Sequence, residues 1–463
     1  MIGLSKSRFT AGLQCHRALW WRVHDSSAPE LETTPEQQAI FDQGTRVGEL
    51  AREHVPQGVL VDAPYWRPGE RIEQTRAAIA AGARVVYEAS FRADDVFVSV
   101  DILHRAPRAR GWILSEVKST TKVKPPHIPD AAVQTHVARR VGLPIVRTEL
   151  MHLNRACRHP DLSNLFTRAD VSDEVERFLP EVPGEVRAQL AMLRRPSPPR
   201  ATPGEHCTAP YECPFLARCW DVEEQVPASS SAEPIVDPAL RDVLAALKEP
   251  IAHLDFETIA PAVPVWPGCR PYDPVPVQFS VHVEPDAHFE HLASGPADPR
   301  PALARALVAA LRGAATIVVY HQPFEQRRLR ELQQAVPELA GELEAVIGRL
   351  VDLLPIVRSH VDHPAFEGRF GLKRVAPALV PGLRYDELEI GDGGAASRAL
   401  EAMLLGRMGA EQRRRVRAAL LAYCGQDTRA TMGVLAWLRS RAQMPGVARA
   451  RRRARAARVN VAG

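Results

Sequence analysis

Apolar residues along this chain follow two kinds of pattern, separated by a stretch that follows neither. In the first half, residues 84–91 (RVVYEASF), 96–106 (VFVSVDILHRA) and 111–118 (GWILSEVK) are short and rich in β-branched residues. Segments of that length and alternation predict three strands, followed by a helix over 130–141 and a strand over 146–153. In the second half, 251–257 (IAHLDFE), 276–283 and 288–292 predict three further strands. A helix over 301–312, a strand over 316–320, a helix from about 324 and a long helix from 411 to about 441 follow. Three strands succeeded by an alternating αβα pattern imply an α/β fold with a mixed sheet and helices on its faces. Between the halves, residues 221–238 (DVEEQVPASSSAEPIVDP) are too poor in apolar side chains to pack. A second proline-rich stretch, 194–204, precedes a cysteine cluster. The expected organisation is therefore a domain over 1–222, a linker over 223–243, a domain over 244–442 and a tail over 443–463.

Composition narrows the classes. With 463 residues, 45% hydrophobic and 25% charged, the chain has the balance of a globular protein with room for two cores. No apolar run approaches the roughly 20 residues a membrane span needs, so no membrane partner is expected. The opening MIGLSKSRFTAGLQCHRALWW lacks the layout of a secretory signal. A cytoplasmic location follows as the expectation, and there the seven cysteines stay reduced and are candidate ligands rather than disulfide partners. The net charge of +4 is mild, but 449–458 (RARRRARAAR) holds six arginines and no acid. Such a tail is either a solvated end or an arm that contacts phosphates.

Candidate chemistry in the second half begins with Asp255 and Glu257, two residues apart on one strand and so on one face. Carboxylates that close repel unless a cation or a proton intervenes, and hard oxygen ligands suit Mg²⁺ or Mn²⁺. Tyr423 and Asp427 share a helical face at i, i+4, beside apolar Leu420, Val434 and Leu435. Glu325 opens a helix just after a strand. Together these resemble the three motifs of the DEDD (DnaQ-like) exonuclease superfamily, over about residues 248–440. The resemblance implies an RNase H-like fold and a two-metal 3′→5′ exonuclease. Asp255, Glu257, Glu325 and Asp427 would be its metal ligands, and Tyr423 would orient the attacking water. Glu325 departs from the pattern, standing where that family has aspartate. Asp352, Lys373 and Arg374 are candidates either for substrate binding or for a solvated surface.

In the first half, Asp101 sits on one expected strand and Glu116 and Lys118 share a face of the next. Two acids beside a lysine suit metal-assisted phosphodiester chemistry, although Glu–Lys pairs on sheets are also common without function. Cys207, Cys213 and Cys219 follow at five-residue gaps, with Cys15 near the start; this is not a usual zinc spacing. The arrangement resembles the iron–sulfur RecB-like nucleases of the PD-(D/E)XK superfamily, with a restriction-endonuclease-like core. The resemblance implies catalytic roles for Asp101, Glu116, Lys118 and Gln134, with metal on Asp101 and Glu116. It also implies a 4Fe–4S cluster on Cys15, Cys207, Cys213 and Cys219. Gly48 stands in that family's metal-histidine place, with Glu49 and Glu88 as candidate replacements, and Ala138 stands where it has tyrosine. Cys157, Cys269 and Cys424 read as packing residues. An uncharacterised bacterial family that joins both modules is the resemblance for the whole chain. It implies a nuclease acting in DNA repair or phage defence, with nucleic acid as partner, DNA before RNA. The alternative is a non-catalytic nucleic-acid-binding scaffold built on degenerate nuclease folds.

Overall fold

The computed structural model describes residues 3–107, 110–219, 234–406 and 408–443. The arginine-rich tail and most of the expected linker lie outside these described residues. The chain divides into two compact units, one comprising Met1–Glu223 with Ala262–Tyr272, the other Glu224–Pro261 with Asp273–Gly463. A boundary placed at the linker does not anticipate the excursion Ala262–Tyr272. Ala262 packs in a small apolar cluster with Val47, Leu50, Leu153 and Leu165, and Tyr272 donates its hydroxyl to Gln43 Oε1 at 3.0 Å.

Unit 1 runs β1 (Leu4–Ser5), α1 (Lys6–Gln14), α2 (His16–His24), α3 (Pro35–His54), β2 (Val59–Leu60), α4 (Pro68–Ala80), β3 (Val85–Ala93), β4 (Val96–Arg105) and β5 (Trp112–Lys118). It continues through α5 (His127–Arg140), β6 (Ile145–Leu153), β7 (Phe166–Asp170), α6 (Ser172–Phe178), α7 (Val182–Leu193) and α8 (Leu216–Cys219). The sheet order is β2-β3-β4-β5-β6-β7, with β1 pairing β4. β3, β4 and β5 form an antiparallel meander, whereas β5 and β6 are parallel across α5. Alternation along β5 sends Trp112 and Leu114 into a core with Phe9 of α1, Leu19 of α2 and Val133 of α5. Glu116 and Lys118 continue that row beyond the apolar part.

Unit 2 runs β8 (Ile235–Val236), α9 (Leu240–Ala245), β9 (Ile251–Ile259), β10 (Val275–Val283), β11 (Ala287–Leu292), α10 (Arg300–Ala310), β12 (Thr316–Val319) and α11 (Gln322–Ala335). After these come α12 (Ala340–Ile347), β13 (Leu350–Asp352), α13 (Leu353–His360), β14 (Val361–Asp362), α14 (Leu372–Leu379), α15 (Gly393–Leu405) and α16 (Ala410–Gln443). The five-stranded sheet has the order β11-β10-β9-β12-β13. Its first three strands are antiparallel and the rest parallel, so the sheet is mixed. Each face carries its own core. Ala252, Leu254 and Phe256 of β9 pack with Leu307, Leu329 and Leu343 from α10, α11 and α12. Ile251 and Val318 face the other way, onto Leu353, Val375, Val434 and Leu435. No helix among the described residues is long and apolar enough to cross a membrane.

Candidate functional site

On β9 the side chains alternate, so Asp255 and Glu257 share the face of Ile251, the face covered by α16. Helical periodicity turns Tyr423 and Asp427 of α16 inward, among Leu420, Val434 and Leu435. The result is a convergence. One carboxylate oxygen from each of Asp255, Glu257 and Asp427 lies within 4.8 Å of the others. None of the three forms an ion pair among the described residues. Burial is the main force raising the proton affinity of Asp255, and the charges of Asp427, Glu257 and Glu325 add to it. Glu257 is raised by burial and by Asp427. Asp427 is raised by burial too, although Tyr385 and Lys373 oppose this. Lys373 acts against the rise at Glu257 and Asp427 without cancelling it.

Around them stand groups that fix their positions. Tyr385 donates to Asp427 Oδ1 at 2.7 Å, and the Cys424 thiol approaches Asp255 Oδ2 at 3.7 Å. The Lys373 ammonium donates to Tyr423 Oη at 2.5 Å and lies 4.4 Å from the centre of its ring. Lys373 thus belongs to the site. Arg374 instead pairs with Glu367 at 2.5 Å, and Asp352 is a capping residue. Its oxygens accept from the backbone N–H groups of His321 and Gln322 at the start of α11, and from Leu354 in α13. Glu325 lies in the first turn of α11 and is buried, but stands outside the 4.8 Å group. Its Oε2 has no hydrogen-bond partner among the described residues, and burial pushes its carboxyl up to about 8.

The first-half residues also meet. Glu116 Oε1 accepts from Lys6 and Lys118, each at 2.7 Å, and Oε2 accepts from Lys6 at 3.0 Å and Gln134 at 2.8 Å. Lys118 also reaches Asp130 Oδ2 at 2.5 Å, and Asp101 Oδ2 accepts from the Val117 backbone N–H at 2.6 Å. Burial works to raise Glu116, but the two ammonium groups outweigh it and hold the carboxyl well below the usual range. Gly48 lies on α3 with open space around its Cβ position. Glu49 pairs with Arg46, whereas Glu88 pairs with Arg52 and Arg71 and still lies close enough for its charge to act on Asp101 and to feel Lys6. Sequence reasoning missed Lys6, Asp130 and Tyr385. Asp130 carried one signal, its i, i+4 spacing to Gln134 on α5.

Cys15, Cys207, Cys213 and Cys219 line one small cavity with Ala18, Pro203 and His206, and all four are free thiols. Burial raises the Cys213 and Cys219 thiols, and the neighbouring cysteines add to this. The four sulfurs do not form a group within 4.8 Å of one another. An adjoining groove shares Cys15 and Cys213 with that cavity and is lined by Lys6, Arg22, Lys118, His127, Asp130 and Glu212 and the exposed rings of Phe41 and Tyr211.

Comparison with known proteins adds little. A family described as a domain of unknown function, DUF2779, matches residues 252–371, which include Asp255, Glu257 and Glu325 and stop short of Asp427. No curated protein matches the chain. Among solved structures, the family B DNA polymerase from the hyperthermophilic archaeon Pyrobaculum calidifontis overlaps 73% of this chain and 43% of its own, with 12% identity and a TM-score of 0.26. The chain therefore spans less than half the length of that polymerase, and so loose an overlap supports no conclusion about activity.

Proposed function

We propose that this protein is a metal-dependent nuclease whose second unit carries a 3′→5′ exonuclease site of DEDD type. The observation that carries the reading is the convergence of Asp255, Glu257 and Asp427 within 4.8 Å, half-buried to buried and forming no ion pair among the described residues. Their hard oxygens fit Mg²⁺ or Mn²⁺. Divalent ions held by them would activate a water and stabilise the attacking and leaving oxygens of a phosphodiester. Glu325 would serve that centre from its edge, being buried with a free oxygen. Tyr423, held by Lys373, would position the water. The mixed sheet with a core on each face supports an RNase H-like assignment.

For unit 1 the reading is a nuclease-like module that binds a strand of nucleic acid, DNA before RNA. The exposed rings of Phe41 and Tyr211, beside Arg22 in its groove, suit stacked bases. Cys15, Cys207, Cys213 and Cys219 would hold a 4Fe–4S cluster. Supporting this, four free thiols face one cavity. A tetrahedral zinc with bonds of about 2.3 Å would draw its sulfurs to about 3.8 Å apart, and no three of these sulfurs lie so close together. The saturated Glu116 carboxylate favours the non-catalytic alternative for this unit alone.

The test is incubation of the purified protein with 3′- or 5′-end-labelled single strands and Mg²⁺ or Mn²⁺. Stepwise release of nucleotides from the 3′ end is expected, falling by at least ~100-fold in Asp255→Ala and Asp427→Ala, the scale of losing transition-state charge stabilisation. Release unchanged in both variants, or none from the unmodified chain, overturns the reading.

A further inference from the structure

We infer that the Lys6 ammonium does in unit 1 the neutralising work of a divalent cation, so that the Asp101–Glu116–Lys118 site is metal-free. The inference deepens the strand-binding reading of unit 1 and departs from the metal that the resemblance implies on Asp101 and Glu116. It begins with the placement of Lys6. Leu4 and Ser5 pair in parallel with Val96 and Phe97 of β4, the strand that also carries Asp101. Lys6 follows immediately as the first residue of α1, so its root is fixed beside the sheet and its side chain extends to Glu116.

A carboxylate offers about four lone-pair sites. All four on Glu116 are taken, two on each oxygen, by Lys6 twice, Lys118 and Gln134. A cation binding Glu116 directly must break at least one of these bonds and settle next to two ammonium groups. Asp101 and Asp130 each have one oxygen engaged, by Val117 N–H and Lys118 Nζ. Glu116 forms ion pairs with Lys6 and Lys118, and Asp130 with Lys118, whereas the three acids of unit 2 form none among the described residues. The donor set of unit 1 does not fit a divalent ion while Lys6 is in place.

The experiment uses the full-length chain and Mn²⁺ alone, with bound ion counted by electron paramagnetic resonance of the free ion. Asp255→Asn with Asp427→Asn removes two of the ligands of unit 2, and this double variant is expected to bind no Mn²⁺ that depends on Glu116. Adding Lys6→Ala should open about one site per chain, and Glu116→Gln on top should abolish it. Lys6→Met, which keeps the aliphatic stem, guards against misfolding, and circular dichroism reports the fold of each. Mn²⁺ bound by the double variant with Lys6 intact, and lost in Glu116→Gln, overturns the proposal. So does failure of folded Lys6→Ala and Lys6→Met to gain a site. If both Lys6 variants misfold, the double variant and its Glu116→Gln derivative decide alone. A chain in which Asp255→Asn and Asp427→Asn leave Mn²⁺ binding unchanged would count against the exonuclease site and leave the Lys6 question to these same arms.

Discussion

Glu325 shows what a single buried carboxyl does to stability. Unfolded, it titrates near 4.5, and in the fold burial lifts it to about 8. A raised carboxyl stabilises the fold fully below about 4.5, and that contribution drains away as pH climbs through about 8. In chelator, the melting temperature should therefore fall between pH 5 and pH 8, and Glu325→Gln should flatten the fall by several degrees, given ~2–4 °C per kcal/mol for a unit this size. A steeper or unchanged slope in that variant counts against a strained, ion-seeking Glu325. At this scale the sequence was legible where chemistry is local. Asp255 and Glu257 are two apart on a strand, and Tyr423 and Asp427 are four apart on a helix, so each pair declares its own face. Lys6 was not legible, since its partner Glu116 lies 110 residues away and only the pairing of β1 with β4 brings them together.

Among the elements, α16 bears the greatest consequence, because it covers β9 and carries Asp427 to the acids opposite. Its expected span, 411 to about 441, differs little from Ala410–Gln443, since a long proline-free run rich in Ala, Leu and Arg leaves little choice of structure. Short elements were another matter. β13 is three residues and β7 five, and neither rises above the surrounding pattern; their pairing with β12 and β6 is decided by neighbours far along the chain. Asp352, which looked open to a role with substrate, ends one of these short strands and caps two helices. The anchoring of α16 can be measured through Leu435, fully buried against Ile251 and Val375. Leu435→Ala should destabilise the fold by about 2–5 kcal/mol, seen as a lower denaturant midpoint. A cost below about 1 kcal/mol would mean that α16 is held elsewhere and that Asp427 does not depend on this face.

For the whole molecule, the two units pose different electrostatic problems and solve them differently. Unit 2 concentrates acids that form no ion pair among the described residues, while unit 1 pairs Glu116 and Asp130 with lysines drawn from its first helix and its sheet. A chain of 463 residues with a polar interruption near its middle announces two cores, yet the excursion Ala262–Tyr272 could not be read, because nothing in its composition says which core it joins. The cysteines act over a comparable span. Cys15 and Cys207 lie some 190 residues apart in sequence and face one cavity. A centre bonded to both would remove much of the freedom of the unfolded chain, and cross-links closing loops that long contribute on the order of 2–5 kcal/mol. Protein prepared without oxygen should then be brown, absorb broadly near roughly 400 nm and contain about four irons per chain. Cys213→Ser should lose the colour and unfold unit 1 at lower denaturant, while Mn²⁺ binding at Asp255 and Asp427 persists. Colourless protein with one zinc per chain would replace the cluster by a simpler ion without altering the clasp. Full stability in Cys213→Ser would remove the clasp as well.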